Sequence, residues 1–382
     1  MKDRVSEIFS SSPIVNVNVQ LLRGKNMKKF FIGIFFPIMF IISACSGASE
    51  TSQNSQQKNN DAGNSNNTKY VLKVSHTYPT TGLHHQSMEW FNDELVERSN
   101  GRLSLEIYPS AQIMPPGQEI QAMLNGQIDM NMTNSALIGS IDPIWYLFEL
   151  PYLFEFDMED PSLFYKHKRA FFDSEKGGEV IKKKTDERGL KVLSMTQDNF
   201  SEIFTAGKGE LVTDLKSATG LKLRTPGGTV LKDSINAIGA NAVVVDAAEV
   251  ATSIQQGALD GVISTAYYAL SNYPIKTWTS VPINNFTIAV MMSNKKFDSL
   301  PTDLQSILVE TSKDFDKFLD EVFLANLKNN EKLAKEKGVE VYFPTEEEHN
   351  EFKKVLLPLH DEWAKTVEGG QQLLDEIENT RP

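Results

Sequence analysis

The stretch Gly220-Leu-Lys-Leu-Arg-Thr-Pro-Gly-Gly228 runs on through a helical pattern, Thr229 to Ile238, and then Ala242-Val-Val-Val245. It reads as strand, tight turn, helix, strand, the unit from which α/β proteins are built. Leu221 to Leu223 carry the strand, which ends on Arg224. Pro226 keeps Thr225 out of helical backbone, and Gly227 and Gly228 let the chain turn tightly and approach a ligand. An arginine fixed there presents a planar pair of donors that matches a carboxylate two for two. The helix that follows would add free N–H groups and its positive dipole end. The segment thus points to the binding of a small organic acid. A structural ion pair or a helix-start contact is the plainer reading, and the local motif weighs the two evenly.

Working outward, the same alternation continues in both directions. Tyr70–Ser75 and Leu103–Tyr108 alternate as strands around a helical pattern over His84–Ser99, and a helix near Glu119–Leu124 precedes a strand at Ile128–Thr133. Parallel sheets take ligands beyond the carboxyl ends of their strands, which puts His76-Thr77-Tyr78 and Thr133-Asn134-Ser135 near a cleft. A single helix is expected over about Ser162–Arg188, then two strands, Leu190–Met195 and Ile203–Ala206. Beyond Arg224 come a helix over Ala247–Gln256, a turn at Asp260-Gly261 into Val262-Ile263, and an apolar run, Phe286–Ser293. Pro301 opens a helix that reaches about Lys337 and stops at Gly338, with Leu304, Leu308, Phe315, Phe318, Leu319, Val322 and Phe323 on one stripe. At 1.5 Å per residue it spans roughly 50 Å, longer than one small domain.

The N-terminal region carries compartment signals. Met27 to Cys45 has two lysines, an apolar run short for a membrane span, and small residues before a cysteine, which reads as a secretory signal. Ile42-Ser43-Ala44-Cys45 resembles a bacterial lipobox, which implies cleavage before Cys45 and lipidation of its sulfur. Cys45 is the only cysteine, so no internal disulfide can form. Residues 1–26 match no part of a signal, and Met27 reads as the true start. From Ser46 to about Thr68 the chain is mostly Ser, Asn, Gln, Gly and Thr with almost no apolar residue, which reads as a flexible tether.

Net charge is −12, and removing residues 1–44 takes it to −16, which disfavours nucleic acid and broad anionic surfaces. An anion site must therefore be local. The mature chain has six arginines, Arg98, Arg102, Arg169, Arg188, Arg224 and Arg381, and Arg224 alone stands between a strand and a Gly/Pro turn. His76, His84 and His85 lack metal-motif spacing and read as surface or capping residues. Glu346-Glu347-Glu348 reads as a solvated helix start. Ser201, Ser264 and Ser271 lack a nucleophile-elbow setting. Trp145 to Phe154 reads as core rather than an aromatic cage. No phosphate loop, dinucleotide fingerprint, cofactor or catalytic pair emerges, and an enzyme is not expected.

Together LKVSHTYP (72–79), SNGRLSLEIYPSAQI (99–113), LNGQIDMNMT (124–133), FELPYLF (148–154), GLKLRTP (220–226) and GANAVVVDAAEVATSIQQGALDG (239–261) resemble the solute-binding subunits of tripartite ATP-independent periplasmic (TRAP) transporters, of the dicarboxylate-binding (DctP) type. The resemblance covers nearly all of Lys69 to about Trp363. It implies a two-lobed, periplasmic-binding-protein-like α/β fold with strands crossing a hinge and a long helix spanning both lobes. Lobe I would be 69–199 plus 285–325, and lobe II 200–284 plus 326–382. It also implies capture of an organic acid outside the cytoplasm and delivery to a large and a small membrane permease subunit, with Cys45 tethering the protein to the outer face of the cell membrane. The family's carboxylate-binding arginine falls on Arg224, and other cleft positions fall near Thr77, Tyr78, Asn134 and Ser264. Many members carry a second arginine where Glu202 stands here. A carboxylate at that place disfavours a symmetric dicarboxylate and favours a monocarboxylate with polar substituents. Members usually have Asn at the place of Ser264 and an aromatic at that of Ala247, which implies a remodelled, roomier pocket. A sensing lobe for a membrane kinase and the binding protein of an ATP-driven importer are the alternative functions.

Overall fold

A computed structural model describes residues 68–382 apart from 156, 158, 159, 161 and 207–209. The signal, Cys45 and the tether lie outside the described residues. No helix among those described is long and apolar enough to cross a membrane.

The described residues include nine strands, β1 (Tyr70–His76), β2 (Leu103–Tyr108), β3 (Met130–Asn134), β4 (Leu190–Ala206), β5 (Lys222–Thr225), β6 (Asn241–Val244), β7 (Gly261–Ser264), β8 (Ile275–Ser293) and β9 (Glu340–Tyr342). They form one sheet in the order β2-β1-β3-β8-β4-β7-β5-β6, with β9 beside β8. β1, β2 and β3 are parallel, as are β5, β6 and β7, and each group has helices between its strands. β4 and β8 are antiparallel to each other and belong to both groups. β8 pairs with β3 through Ile288–Met292 and with β9 through Thr277–Thr279. β4 meets β7 through Glu202–Thr205. Two long strands thus carry the chain between two lobes, and their register slips between Gln197 and Phe200 and again between Ser201 and Ile203. Such bulges bend and twist a strand where pairing is interrupted, which suits a hinge.

The two strands expected at Leu190–Met195 and Ile203–Ala206 are therefore one strand of 17 residues. Gln197 pairs with Thr287 and Phe200 with Asn285, and Asp198 and Asn199 form the bulge between them, so the strand continues through the polar run. The apolar run at Phe286–Ser293 is likewise only the end of a 19-residue strand. The single helix expected over Ser162–Arg188 is two, Ser162–Phe172 and Gly178–Glu187. Gly178 lets the second helix start close against the end of the first, since a Cβ there would stand 2.0 Å from the Phe172 carbonyl oxygen.

Core packing follows the same division. One apolar cluster joins the β1–β3 region, the aromatic segment Trp145–Phe154 and the stripe Leu304–Phe323 of the helix Thr302–Glu336. Trp90 stacks on Phe318 at 4.2 Å between ring centres. Each fully buried Phe or Leu of that stripe contributes about 1.5–3 kcal/mol. Leu333 and Ala334, at the far end of the same helix, join a second cluster with Phe204, Val262 and Trp278. A third cluster covers the opposite face of the β5–β7 sheet with Ile203, Leu223, Leu231 and Phe352. One rigid helix therefore contributes to the cores of both lobes. The C-terminus departs from the expected division, because Trp363, Leu373 and Ile377 pack into the first cluster rather than lobe II. The His167 ring nitrogen at 2.7 Å from the Ile377 carbonyl and the Trp363 indole N–H donating to Pro143 at 3.2 Å fasten these last helices there.

Candidate functional site

Of the six arginines among the described residues, five are held in ion pairs. Arg169 grips Asp320 in bidentate fashion at 2.8 and 3.0 Å, tying the helix Ser162–Phe172 to the long helix. Arg98 bridges Glu94 and Asp314, Arg102 meets Asp303, Arg188 meets Asp142, and Arg381 meets Glu155 and Glu378. Arg224 differs. It is only 7% exposed, and among the described residues no carboxylate pairs with it. Its Nε donates to the Val245 carbonyl at 2.8 Å, which fixes the side chain against the end of β6 and leaves both terminal nitrogens free of protein partners among the described residues.

The turn after β5 is built as its sequence requires. The Thr225 hydroxyl donates to the Gly227 carbonyl at 2.9 Å. Gly227 and Gly228 have φ of 132° and 83°, where a side chain is strained. Gly228 also sits close under lobe I, because a Cβ there would come within 3.3 Å of the Ala136 Cβ. Of the turn, Pro226 lines the cavity and the two glycines do not.

Arg224 lines a cavity of about 310 Å³ between the lobes. Thr77 and Tyr78 after β1, Asn134 at the end of β3, and Ser264 at the end of β7 line the same cavity, so the structure brings these expected positions together. The Asn134 side-chain oxygen caps the short helix Ser135–Gly139 by accepting from the Leu137 N–H at 3.2 Å. Ala247 also lines the cavity, a small side chain in a wall otherwise furnished with Tyr268 and Phe286.

Glu202 is placed elsewhere. It is fully buried, does not line the cavity, and faces the Ser280 hydroxyl and the Trp278 indole, with burial pushing its carboxyl up to about 8. On β4, Ser201 faces the cavity while Glu202 falls on the Trp278 side, a one-residue alternation that the bulged register controls. Glu202, expected at the site, is therefore not part of the cavity wall.

The sequence reading missed Asp198, Ser201, Thr265, Asn284 and Phe286, all lining the cavity. Asp198, Ser201 and Asn284 come from the crossing segments of β4 and β8, which have no local motif. The histidines are also corrected. His76, His84 and His85 are buried rather than on the surface. His84 stacks on Tyr78 at 3.9 Å, and its Nε2 lies 3.3 Å from Asp198 Oδ2. His76 and His85 approach at 3.1 Å, and burial, with His85 and His84 nearby, lowers His76 to about 3. A partner more than a hundred positions away leaves no trace at residue 84. No group of His, Cys, Asp and Glu among the described residues is arranged to hold a metal.

Comparison with known proteins agrees with this architecture. Residues 74–366 match the model of DctP, bacterial extracellular solute-binding protein, family 7. The chain is 25% identical over 316 residues to the 2,3-diketo-L-gulonate-binding periplasmic protein YiaO of Escherichia coli, covering 81% of this chain and 92% of that protein. It is 24% identical over 302 residues to the C4-dicarboxylate-binding periplasmic protein DctP of Rhodobacter capsulatus, covering 78% and 87%. Among solved structures, a TRAP periplasmic solute binding protein from Desulfovibrio salexigens with bound orotic acid shares the fold at a TM-score of 0.73 and 20% identity, over 82% of this chain and 99% of that one.

Proposed function

The chain belongs to the DctP family of bacterial extracellular solute-binding proteins, whose named members bind solutes for transport and are not enzymes, and from that premise we propose that it captures a small organic acid in the inter-lobe cavity, with Arg224 holding the carboxylate. The observation that carries the reading is the state of Arg224. A buried guanidinium needs a partner, and every other arginine from residue 68 onward has a carboxylate. Arg224 has instead an open cavity in front of two uncommitted nitrogens. Asn134, Thr77, Tyr78 and Ser264 surround the acid, and Glu202 stays outside the pocket as a buried structural carboxyl.

Lobe I comprises about 69–199, 285–325 and 358–382, and lobe II about 200–284 and 326–357. Bending of β4 and β8 at their register slips closes the lobes and removes water from the guanidinium–carboxylate pair, which strengthens it. Lipidation at Cys45 would hold the protein at the outer face of the cell membrane, and the bound acid would pass to the large and small permease subunits of a TRAP transporter. The sequence of residues 27–45 and the family membership support these steps.

Mass spectrometry of what the protein releases on denaturation, after purification from cell extract, tests the reading. A carboxylic acid is the expected result. A neutral or purely cationic solute would refute it.

A further inference from the structure

The cavity has a second polar end, and its charge is opposite to that of the Arg224 end. Asp198 lies in the bulged stretch of β4, is 4% exposed, and lines the cavity. Its Oδ2 accepts from the Thr265 hydroxyl at 3.1 Å and lies 3.3 Å from His84 Nε2. Its Oδ1 makes no hydrogen bond among the described residues. Asn284, which faces Ser201 across the β4–β8 ladder, donates its amide to Glu149 at 3.0 Å and leaves a buried side-chain oxygen without a donor. The hinge wall thus carries the Asp198 carboxylate, with a buried, unpaired Asn284 oxygen in the same wall.

Formal charge along the lining points the same way. Arg224 supplies one positive charge, Asp198 and Asp246 supply two negative ones, and His84 is the only other group that can become positive, with Tyr78 and Tyr268 completing the titratable set. A diacid would bring its second carboxylate against Asp198 and the Asn284 oxygen with no second fixed cation to meet it. Like charges brought together in a closed site cost several kcal/mol. A hydroxyl or ammonium group would instead donate to the Asp198 carboxylate. Through Val262 of β7, Arg224 stands level with Phe204 of β4, and Asp198 lies six residues further along that strand, so the two charged groups reach the cavity from different parts of the sheet.

Resting on the carboxylate reading of Arg224, we infer that Asp198, set by Thr265 and His84, is a specificity-determining residue that selects monocarboxylates bearing a hydrogen-bond donor, hydroxyl or ammonium, at the far end and rejects dicarboxylates. This assigns to Asp198 the discrimination that the sequence pattern would place on Glu202.

The test is a competition. Full-length protein is incubated with an equimolar mixture of 4-hydroxybutanoate, 4-aminobutanoate, D-gluconate, succinate and glutarate, washed, denatured, and the retained acids quantified by mass spectrometry. Wild type should enrich at least one donor-bearing monoacid tenfold or more over either diacid. Asp198→Asn, which keeps the shape and removes the charge, should cut that ratio at least tenfold. Diacids retained equally or better, no acid of either class retained, or a ratio unchanged in Asp198→Asn would overturn the assignment. The wild-type ratio decides by itself should the variant fail to fold. Arg224→Met separates the two readings, because it should abolish retention of every acid. Retention in that variant would sink the carboxylate clamp, whatever the ratio at Asp198.

Discussion

Replacing Arg224 by methionine separates a ligand-binding arginine from a structural one. Methionine keeps an unbranched stem in a site that is 7% exposed, so packing changes little while the charge and the donor fork are lost. In the ligand-free protein the substitution loses one hydrogen bond, Nε to Val245 at 2.8 Å, worth about 1 kcal/mol. It also relieves the desolvation of a cation that has no carboxylate partner, which opposes that loss. The expected change in ligand-free stability is therefore small, about 1 kcal/mol in either direction. Binding behaves differently, since truncating one member of a desolvated charge pair costs about 2–5 kcal/mol. At 1.4 kcal/mol per tenfold, that is a loss of roughly 30-fold to several thousand-fold in affinity. Calorimetric titration with the acid released from wild type, beside urea unfolding of both ligand-free proteins, gives the two numbers. Affinity within threefold of wild type would refute the clamp. A loss of 3 kcal/mol or more of ligand-free stability, against the roughly 1 kcal/mol expected, would show Arg224 to be structural instead. Arg224→Lys should fall between, because it keeps the charge and loses the planar fork.

Glu202 should make stability fall with rising pH. Its native carboxyl sits at about 8, above the ordinary value of 4.5, so the native state holds a proton that the unfolded chain has released. The contribution is intact below about pH 4.5 and is lost as pH rises through 8. Glu202→Gln should accordingly flatten the fall in melting temperature between pH 5 and 8, and parallel curves for the two proteins would exclude the effect. Asp320→Ala removes the bidentate partner of Arg169, at 2.8 and 3.0 Å, but leaves Asp316 at 3.5 Å and Asp173 at 3.8 Å, and should cost about 1.5–3 kcal/mol in urea unfolding without abolishing ligand binding. Gly178→Ala places a methyl 2.0 Å from the Phe172 carbonyl and should destabilise by more than 2 kcal/mol, roughly the overpacking range. A variant that unfolds at wild-type urea concentration would show that the helix break can shift to accommodate it.

Local pattern exposed the regular elements well. β2 and the helix at Glu119–Leu124 fall where the alternation and the 3.6-residue stripe put them, and the 35-residue helix begins just after Pro301. Its length alone implied contact with more than one core, and Leu304 and Leu333 lie in different clusters. The aromatic segment from Trp145 to Phe154 packs as core. The pattern misled in both directions: it broke the chain between Met195 and Ile203, where β4 continues, and it ran one helix through Phe172, where the structure has two. Pairing with the distant β8 carries β4 on in the first case, and in the second Gly178 allows a close approach to Phe172.

The chain by itself therefore determined an α/β protein with an arginine pinned at a strand end by Thr-Pro-Gly-Gly, because strand alternation, proline's fixed φ and glycine's permissive φ are local properties. Tertiary structure alone decided which side chains meet that arginine's cavity. Bulges in β4 turn Asp198 and Ser201 inward and Glu202 away, β8 brings Asn284 opposite, and the fold carries His84 to Asp198. A one-residue shift of register exchanges the faces of a strand, and that register is set by a partner strand some 80 positions distant, so the chemistry of the pocket's far end became readable only once the sheet was assembled.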